Sequence, residues 1–308
     1  MKLSSILVFS LLSLCNSFRL AQYNAEWLFI DQYENCPGSG CTWSNQSEAQ
    51  KHLSVVATNI NNINADYINF CEVEGLTELN MVADQSTYKY YSHLIKGTDS
   101  STGQNVGVLT KLSEPMTLSR TEDRYNYPVS GSKCGCTSTG SYGVSKHYIN
   151  SFPLNNFTLT IIGVHFLAYP TDSTRCAERE AQATVIRSQV DKYLDLGNEV
   201  IVMGDFNDFD EKYSDANNNM PISKVVDIIR GSELYTATSF IEKSERKTDW
   251  WDKNSDCSSV STEFSMIDHI LMTPYLYNHI KDVSIYTYPE YCGTYNSDHF
   301  PMIVDFDF

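Results

Sequence analysis

The sequence predicts a mixed fold of α/β or α+β class. Strand-like apolar runs alternate with helical stretches, no glycine-rich dinucleotide signature follows a strand, and no repeat or Pro-rich linker divides the chain. With 308 residues, 42% of them apolar and 12% aromatic, the chain can bury a sizeable core and is not of the disordered type. Strands are expected at 18–24, 67–73, 88–95, 105–111, 157–165, 199–204, 266–272, 281–287 and 300–306. A helix over 47–63 starts with the capping-type stretch SEAQ and sets Leu53, Val56, Ile60 and Ile63 on one face. A longer one over 174–196 carries Val185, Ile186, Val190, Tyr193 and Leu194, and 222–230 is a shorter candidate. The Ser-, Gly-, Thr- and Tyr-rich stretch 112–147 reads as a surface excursion held by cysteines.

The first residues, MKLSSILVFSLLSLCNS, place one Lys before an apolar run too short to span a bilayer, with Ser17 as a small residue at the cleavage position. Residues 1–17 are therefore expected to be a secretory signal, with one domain over 18–308. No later stretch approaches the length of a membrane span, so no transmembrane anchor is expected and the product should be secreted or luminal. Of nine cysteines, Cys15 leaves with the signal, and an even set of eight suggests disulfides. Cys36 and Cys41 could close the turn CPGSGC, Cys134 and Cys136 are too close for an easy mutual bridge, and Cys71 inside an apolar strand reads as a buried free thiol. No pair of CxxC units argues for zinc. Asn45 and Asn156 are glycosylation sequons. The formal charge of −16 gives no general attraction to phosphate polymers, so an anionic ligand calls for a local cation.

Polar residues recur where strong strands end. FRLAQY is followed by Asn24, YINFCEVEG contains Glu72, LTIIGV delivers His165, and VIVMG delivers Asp205 and Asn207. EFSMIDHILM carries Asp268, and NSDHFPMIVDF carries Asp298 and His299. Active sites of sheet proteins gather at such ends. Taken singly, Asn24 reads as a turn cap and His165 as a satisfied core histidine; Glu72 and Asp268, set among apolar neighbours, each need a partner. Carboxylate and amide oxygens suit a hard cation such as Mg²⁺, and histidines paired with carboxylates supply acid and base. Without a nucleophilic Ser or Cys, this set points to metal-assisted attack of water on a phosphate ester.

In the order AQYNAEW, FCEVEG, GVHFLA, GDFND, MIDHIL and SDHFP, the chain resembles the endonuclease/exonuclease/phosphatase superfamily, whose folds are like deoxyribonuclease I. The resemblance implies a four-layer α/β sandwich, two packed mixed β-sheets flanked by helices, with the site at one end. It implies that Asn24 and Glu72 hold a divalent ion, Mg²⁺ or another such as Mn²⁺ or Ca²⁺, with Asp298 nearby. Asp205 and Asn207 would orient the attacking water and a phosphate oxygen, His299 would act as base or acid oriented by Asp268, and His165 would contact the phosphate or protonate the leaving group. Asp208 and Asp210 read as turn residues.

The same site chemistry serves several substrates. A phosphodiester partner, with nucleic acid first and a phospholipid headgroup second, is expected; no protein partner is inferable. A sphingomyelin or phospholipid phosphodiesterase, a phosphatase, and a non-catalytic secreted binding protein are the alternatives. Three departures from the family pattern stand out: Glu74 where the deoxyribonuclease branch commonly has a basic residue, His269 where the inositol phosphatase branch has Arg, and Cys71 in place of a Gln. The rings of Trp250 and Trp251 are expected to fold back into the core, and Lys243, Arg246 and Lys247 to be solvated surface.

Overall fold

A computed structural model of the chain describes residues 17–31, 42–113, 116–289 and 292–308. The expected signal segment, apart from Ser17, and the CPGSGC turn with Cys36 and Cys41 lie outside the described residues. In chain order the elements are β1 (Ser17–Leu28), α1 (Gln46–Ile63), β2 (Tyr67–Val73), α2 (Leu76–Gln85), β3 (Tyr91–Leu94), β4 (Asn105–Thr110), β5 (Leu118–Ser119), β6 (Arg124–Tyr127), β7 (Gly140–Gly143) and β8 (His147–Leu154). There follow β9 (Phe157–His165), α3 (Ser173–Asp195), β10 (Glu199–Asp205), α4 (Val225–Arg230), β11 (Tyr235–Thr236), β12 (Asp249–Trp250), β13 (Phe264–Ser265), β14 (Asp268–Met272), α5 (Pro274–Asn278), β15 (Ile280–Ile285) and β16 (Met302–Asp307).

The strands form two six-stranded sheets, ordered β15-β16-β1-β2-β4-β3 and β11-β14-β10-β9-β8-β5. Each is mixed, with one parallel pair at its centre: β1 with β2 in the first, β9 with β10 in the second. Side chains alternate across each strand, and that alternation builds the layers. Leu20, Tyr67, Ile201, Met203 and Val304 point between the sheets into a shared core. Their neighbours face outward: Tyr23, Ile68 and Phe70 against Leu53, Val56 and Ile60 of α1, and Val164 and Val202 against Ile186 and Val190 of α3. Each such buried aliphatic side chain stabilises the fold by about 1.5–3 kcal/mol. The result is the four-layer α/β sandwich.

Helix α1 begins where its sequence predicts, with the Asn45 side chain accepting from the Glu48 N–H, and ends at Asn64 in the left-handed region that a short polar residue tolerates. Besides several short strands and the one-turn α5, two longer elements have no counterpart among the expected ones. In β8 the run is interrupted by Asn150, Ser151 and Pro153, which hides its period; Pro153 is tolerated because it stands next to the β8–β9 turn. Helix α2 starts at Gly75 without a side-chain cap and is short. The 112–147 excursion is not structureless: it contains β5 and the β6–β7 hairpin, and the Cys134–Cys176 disulfide ties it to α3. A second disulfide joins Cys257 to Cys292, while Cys71 is buried and free and Cys136 is also free. Asn45 and Asn156 are both exposed.

Glu78 on α2 is buried, and its Oε1 has no hydrogen-bond partner. Burial first, and the charge of Glu74 after it, push its pKa from 4.5 to about 7. A carboxyl whose folded pKa is raised takes up protons on folding, so its effect on stability worsens as pH rises from the unfolded pKa to the folded one. Glu78→Gln is expected to stabilise the protein by about 1–2 kcal/mol more at about pH 8 than at about pH 5. Urea denaturation at the two pH values checks this, and an effect independent of pH would contradict it.

Candidate active site

Strands from both sheets bring their polar ends to one place. From the first sheet come Asn24 on β1 and Glu72 on β2; from the second come His165 on β9, Asp205 on β10 and Asp268 on β14. His299 precedes β16 and forms an isolated bridge with Asp249. The backbone deforms where these side chains are aimed. Pairing shifts register between Asn24 and Leu28 and between Phe70 and Val73, and Glu26, Trp27, Glu72 and Asn207 adopt positive φ values of 43°, 49°, 63° and 49°. Bulges re-aim side chains, and strained non-glycine residues concentrate at functional sites. Gly204 has φ 152°, and a Cβ there would lie 1.8 Å from the Val164 carbonyl oxygen, so only glycine lets β10 run against β9 just before Asp205.

Asp205 is at the centre. Its Oδ1 accepts from the Asn207 N–H at 2.8 Å, and its Oδ2 accepts from Asn207 Nδ2 and Asn24 Nδ2, both at 3.1 Å. His165 Nε2 lies 3.5 Å from Asp205 Oδ2 and 3.9 Å from Glu72 Oε1. Asp268 Oδ2 accepts from His299 Nδ1 at 2.7 Å, which leaves His299 Nε2 facing Asp249 at 3.7 Å and Asp205 and Asp298 at 4.0 Å. All eight residues singled out from the sequence, Asn24, Glu72, His165, Asp205, Asn207, Asp268, Asp298 and His299, thus lie in one connected constellation. Asp298 belongs to its outer side, grouped with Asp249 and His299 rather than with Glu72 and Asp205.

Burial and charge set the protonation of this cluster. Burial first, then the charges of Asp268 and Glu72 against that of His299, push Asp205 up to about 8. His299 is pulled down by burial, but Asp268, Asp298 and Asp205 outweigh this and hold its pKa well above the ordinary range. His165 is driven well below that range by burial, helped by the positive charges of Lys146 and His299, so its ring is neutral. A site with several acids drawn together out of water is short of positive charge.

The residues fit a divalent cation. Ligand atoms of Glu72, His165 and Asp205 lie within 4.8 Å of one another, as do those of Asp249, Asp298 and His299. Carboxylates are the donors that Mg²⁺, Mn²⁺ and Ca²⁺ prefer, and imidazole suits the transition metals among such ions. Asn24 presents Nδ2 to Glu72, Asp205 and His299, while its Oδ1 accepts from the Glu26 N–H at 3.1 Å. A half-turn of the amide would exchange the two atoms and offer Oδ1 to the cluster.

Three residues of the constellation have no place in the sequence expectations. Glu26, inside the NAEW stretch, accepts from the Asp298 N–H at 3.0 Å, and burial with the nearby Glu72 charge raises its pKa to about 7. Asp249 precedes the two tryptophans and faces His299. Lys146, buried, has its Nζ 3.5 Å from His165 Nε2 and 3.8 Å from Asp99 Oδ2. Its signal is the strand β8: once His147 pairs with Val164, Lys146 must stand opposite His165.

Asp208 and Asp210 are not turn residues of the solvated kind. Asp208 is fully buried against fully buried Arg179 at 3.1 Å, and Asp210 pairs with Arg230. Arg179 also donates to the carbonyls of Leu167, Ala168, Tyr169 and Pro170, so one guanidinium clamps the loops that follow both His165 and Asp205. The tryptophans also depart from expectation: Trp250 is partly buried with its indole N–H on Glu263, but Trp251 is 65% exposed.

Two mixed six-stranded sheets between helical layers, with acids and histidines converging at one end, are the fold of endonuclease/exonuclease/phosphatase proteins. Solved structures with this fold include an AP endonuclease from Archaeoglobus fulgidus, at TM-score 0.62 and 13% identity over 94% of this chain and 100% of that one. Danio rerio TDP2 complexed with single strand DNA product aligns at 0.59 and 14% over 95% and 99%, and an endonuclease/exonuclease/phosphatase family protein from Leptotrichia buccalis at 0.55 and 16% over 94% and 100%. No family model and no curated protein matches the sequence.

Proposed function

We propose that the protein is a divalent-cation-dependent phosphoric ester hydrolase of the endonuclease/exonuclease/phosphatase superfamily, acting on nucleic acid and delivered through the secretory pathway. The observation that carries the reading is the joining of Glu72, Asp205, Asp268 and His299, from four chain segments and both sheets, into one buried acid–imidazole cluster. Such a cluster is costly to bury without a cation and without a use. Support for secretion comes from the N-terminal apolar segment and from the two disulfides among the described residues. Support for nucleic acid comes from the fold shared with an AP endonuclease and with TDP2 solved with a single strand DNA product.

Glu72 and Asp205 would hold the cation, with Asn24 beside them and Asp298 on the outer side. When bound, the cation supplies positive charge to the phosphoryl group as its own charge redistributes. Asn207 fixes both oxygens of Asp205 and so orients the carboxylate against which the attacking water is held. Asp268 fixes the His299 ring by Nδ1, leaving Nε2 to hand over or take a proton. His165, neutral beside Lys146, serves as a hydrogen-bond partner for a phosphate oxygen rather than as the acid for the leaving group, and Lys146 adds the local positive charge that an acidic protein otherwise lacks.

Purified protein is expected to cleave single- or double-stranded DNA or RNA with Mg²⁺ or Mn²⁺ and to lose at least a hundredfold in rate with excess EDTA, restored by added ion. Release of phosphocholine from sphingomyelin vesicles, run alongside, should be negligible. Cleavage that survives chelation would overturn the cation requirement, and headgroup release without strand cleavage would move the substrate to lipid.

A further inference from the structure

Among the described residues the two most exposed aromatic side chains are Tyr169 at 68% and Trp251 at 65%. Neither lies at random. Tyr169 is four residues beyond His165, and Trp251 is two beyond Asp249, which faces His299 Nε2 at 3.7 Å. Two residues of extended chain reach at most about 7 Å, so the Trp251 backbone starts beside the site.

Both rings stand on fixed backbone. The Trp250 N–H donates to the Asp298 carbonyl at 2.8 Å and the Trp251 N–H to the Glu263 carbonyl at 3.0 Å. The Cys257–Cys292 disulfide ties the loop after Trp251 to the segment that leads into Asp298. Tyr169 has φ 70°, a left-handed conformation kept by two bonds to its carbonyl, from Arg179 Nη1 at 2.9 Å and the Asp172 N–H at 3.2 Å. Leaving a large aromatic in water forgoes its burial energy, and here the backbone beneath each ring is held so that the ring projects from a fixed point. Trp250 next door is tucked in with its N–H satisfied, so this loop can cover an indole and leaves one uncovered.

We propose that Trp251 and Tyr169 are stacking platforms for unpaired nucleobases on the two sides of the scissile phosphate, and that they make the enzyme selective for single-stranded nucleic acid. The proposal rests on the nucleic-acid reading above. A phosphodiester carries a substituent on each side, and the site has one exposed ring beyond His165 and another beyond Asp249. Every base has a π-face, so stacking accepts any sequence but needs a base that is not already stacked in a duplex. Lys253, with Nζ 5.7 Å from the Trp251 ring, adds a cation for the neighbouring phosphate. A lipid surface is the poorer occupant, because Asp252, Lys253, Asn254 and Asp256 follow Trp251 in the chain with charge and amide where an inserting tip would be apolar.

The test compares wild type with Trp251→Ala and Tyr169→Ala on a single-stranded oligodeoxynucleotide, on the same strand with one abasic residue beside the cleaved bond, and on its duplex. Each variant is expected to lose about ten- to hundredfold in kcat/KM on the intact strand, mainly through KM, with Trp251→Phe and Tyr169→Phe retaining most of it. On strands abasic on the matching side the loss should shrink to less than threefold. Equal losses on intact and abasic strands, or no loss at all, would overturn the proposal. Binding of a fluorescent phosphorothioate strand in EDTA, read by anisotropy, is independent of turnover: tighter binding by wild type than by either variant upholds the stacking sites even if no strand is cleaved, in which case only the hydrolase reading fails. A blue shift of tryptophan emission on phosphatidylcholine vesicles, absent with the oligonucleotide, would assign the rings to a membrane instead.

Discussion

Replacing His299 with alanine is expected to lower kcat by about a hundred- to ten-thousandfold while leaving KM within a few-fold of wild type, because the role proposed for the ring is to carry a proton at the reacting centre. Asp268→Asn should behave alike, since a carboxamide can no longer hold an imidazolium through Nδ1 at 2.7 Å. The two changes act through one unit, so the double variant should fall little further than His299→Ala alone. Steady-state kinetics with saturating Mg²⁺ would show it, and unfolding curves superimposable on wild type would separate a lost proton carrier from a lost fold. A His299→Ala protein within tenfold of wild-type turnover would remove His299 from the chemistry.

The second large effect is on stability. Arg179 and Asp208 are both fully buried, and the guanidinium also satisfies four backbone carbonyls. Burial pulls the guanidinium pKa down and the carboxyl pKa up, and each is opposed by the charge of the partner. Arg179→Met is therefore expected to cost about 3–5 kcal/mol, since it leaves an unpaired carboxylate and orphaned carbonyls in a water-free place. Urea denaturation measures this directly; a loss below about 1 kcal/mol would mean that water or another cation reaches Asp208. Where Arg179→Met still folds, the Tyr169 loop loses its clamp, and the single-strand preference proposed above should weaken along with stability.

The parts of the fold that the sequence discloses are those with a clean period. The helical face of Leu53, Val56 and Ile60 is one, the continuous apolar run within 199–204, buried on both sides of its sheet, is as plain a signal, and the structure follows both. What stays hidden is hidden for physical reasons. Strand β8 is punctuated by polar residues that bond within the sandwich, among them Asn150, whose Nδ2 donates to Tyr67 Oη. The first half of α3 breaks the amphipathic rule because Arg179, Glu180 and Gln182 are buried through hydrogen bonds rather than through apolar contact. In the site, residues at the ends of strong strands could be read from the chain, since strand ends mark themselves. Glu26, Asp249 and Lys146 could not, because a bulge, a short irregular strand and an unrecognised strand deliver them.

The constellation also carries a consequence for synthesis. Its members span residues 24 to 299, and β1, which brings Asn24, is completed at its free edge only when β16 pairs with it. Until β16 has folded against β1, His299 is not held in place and β1 keeps an open edge, so the candidate site is incomplete. On the function proposed above, hydrolysis would begin only once both sheets are complete.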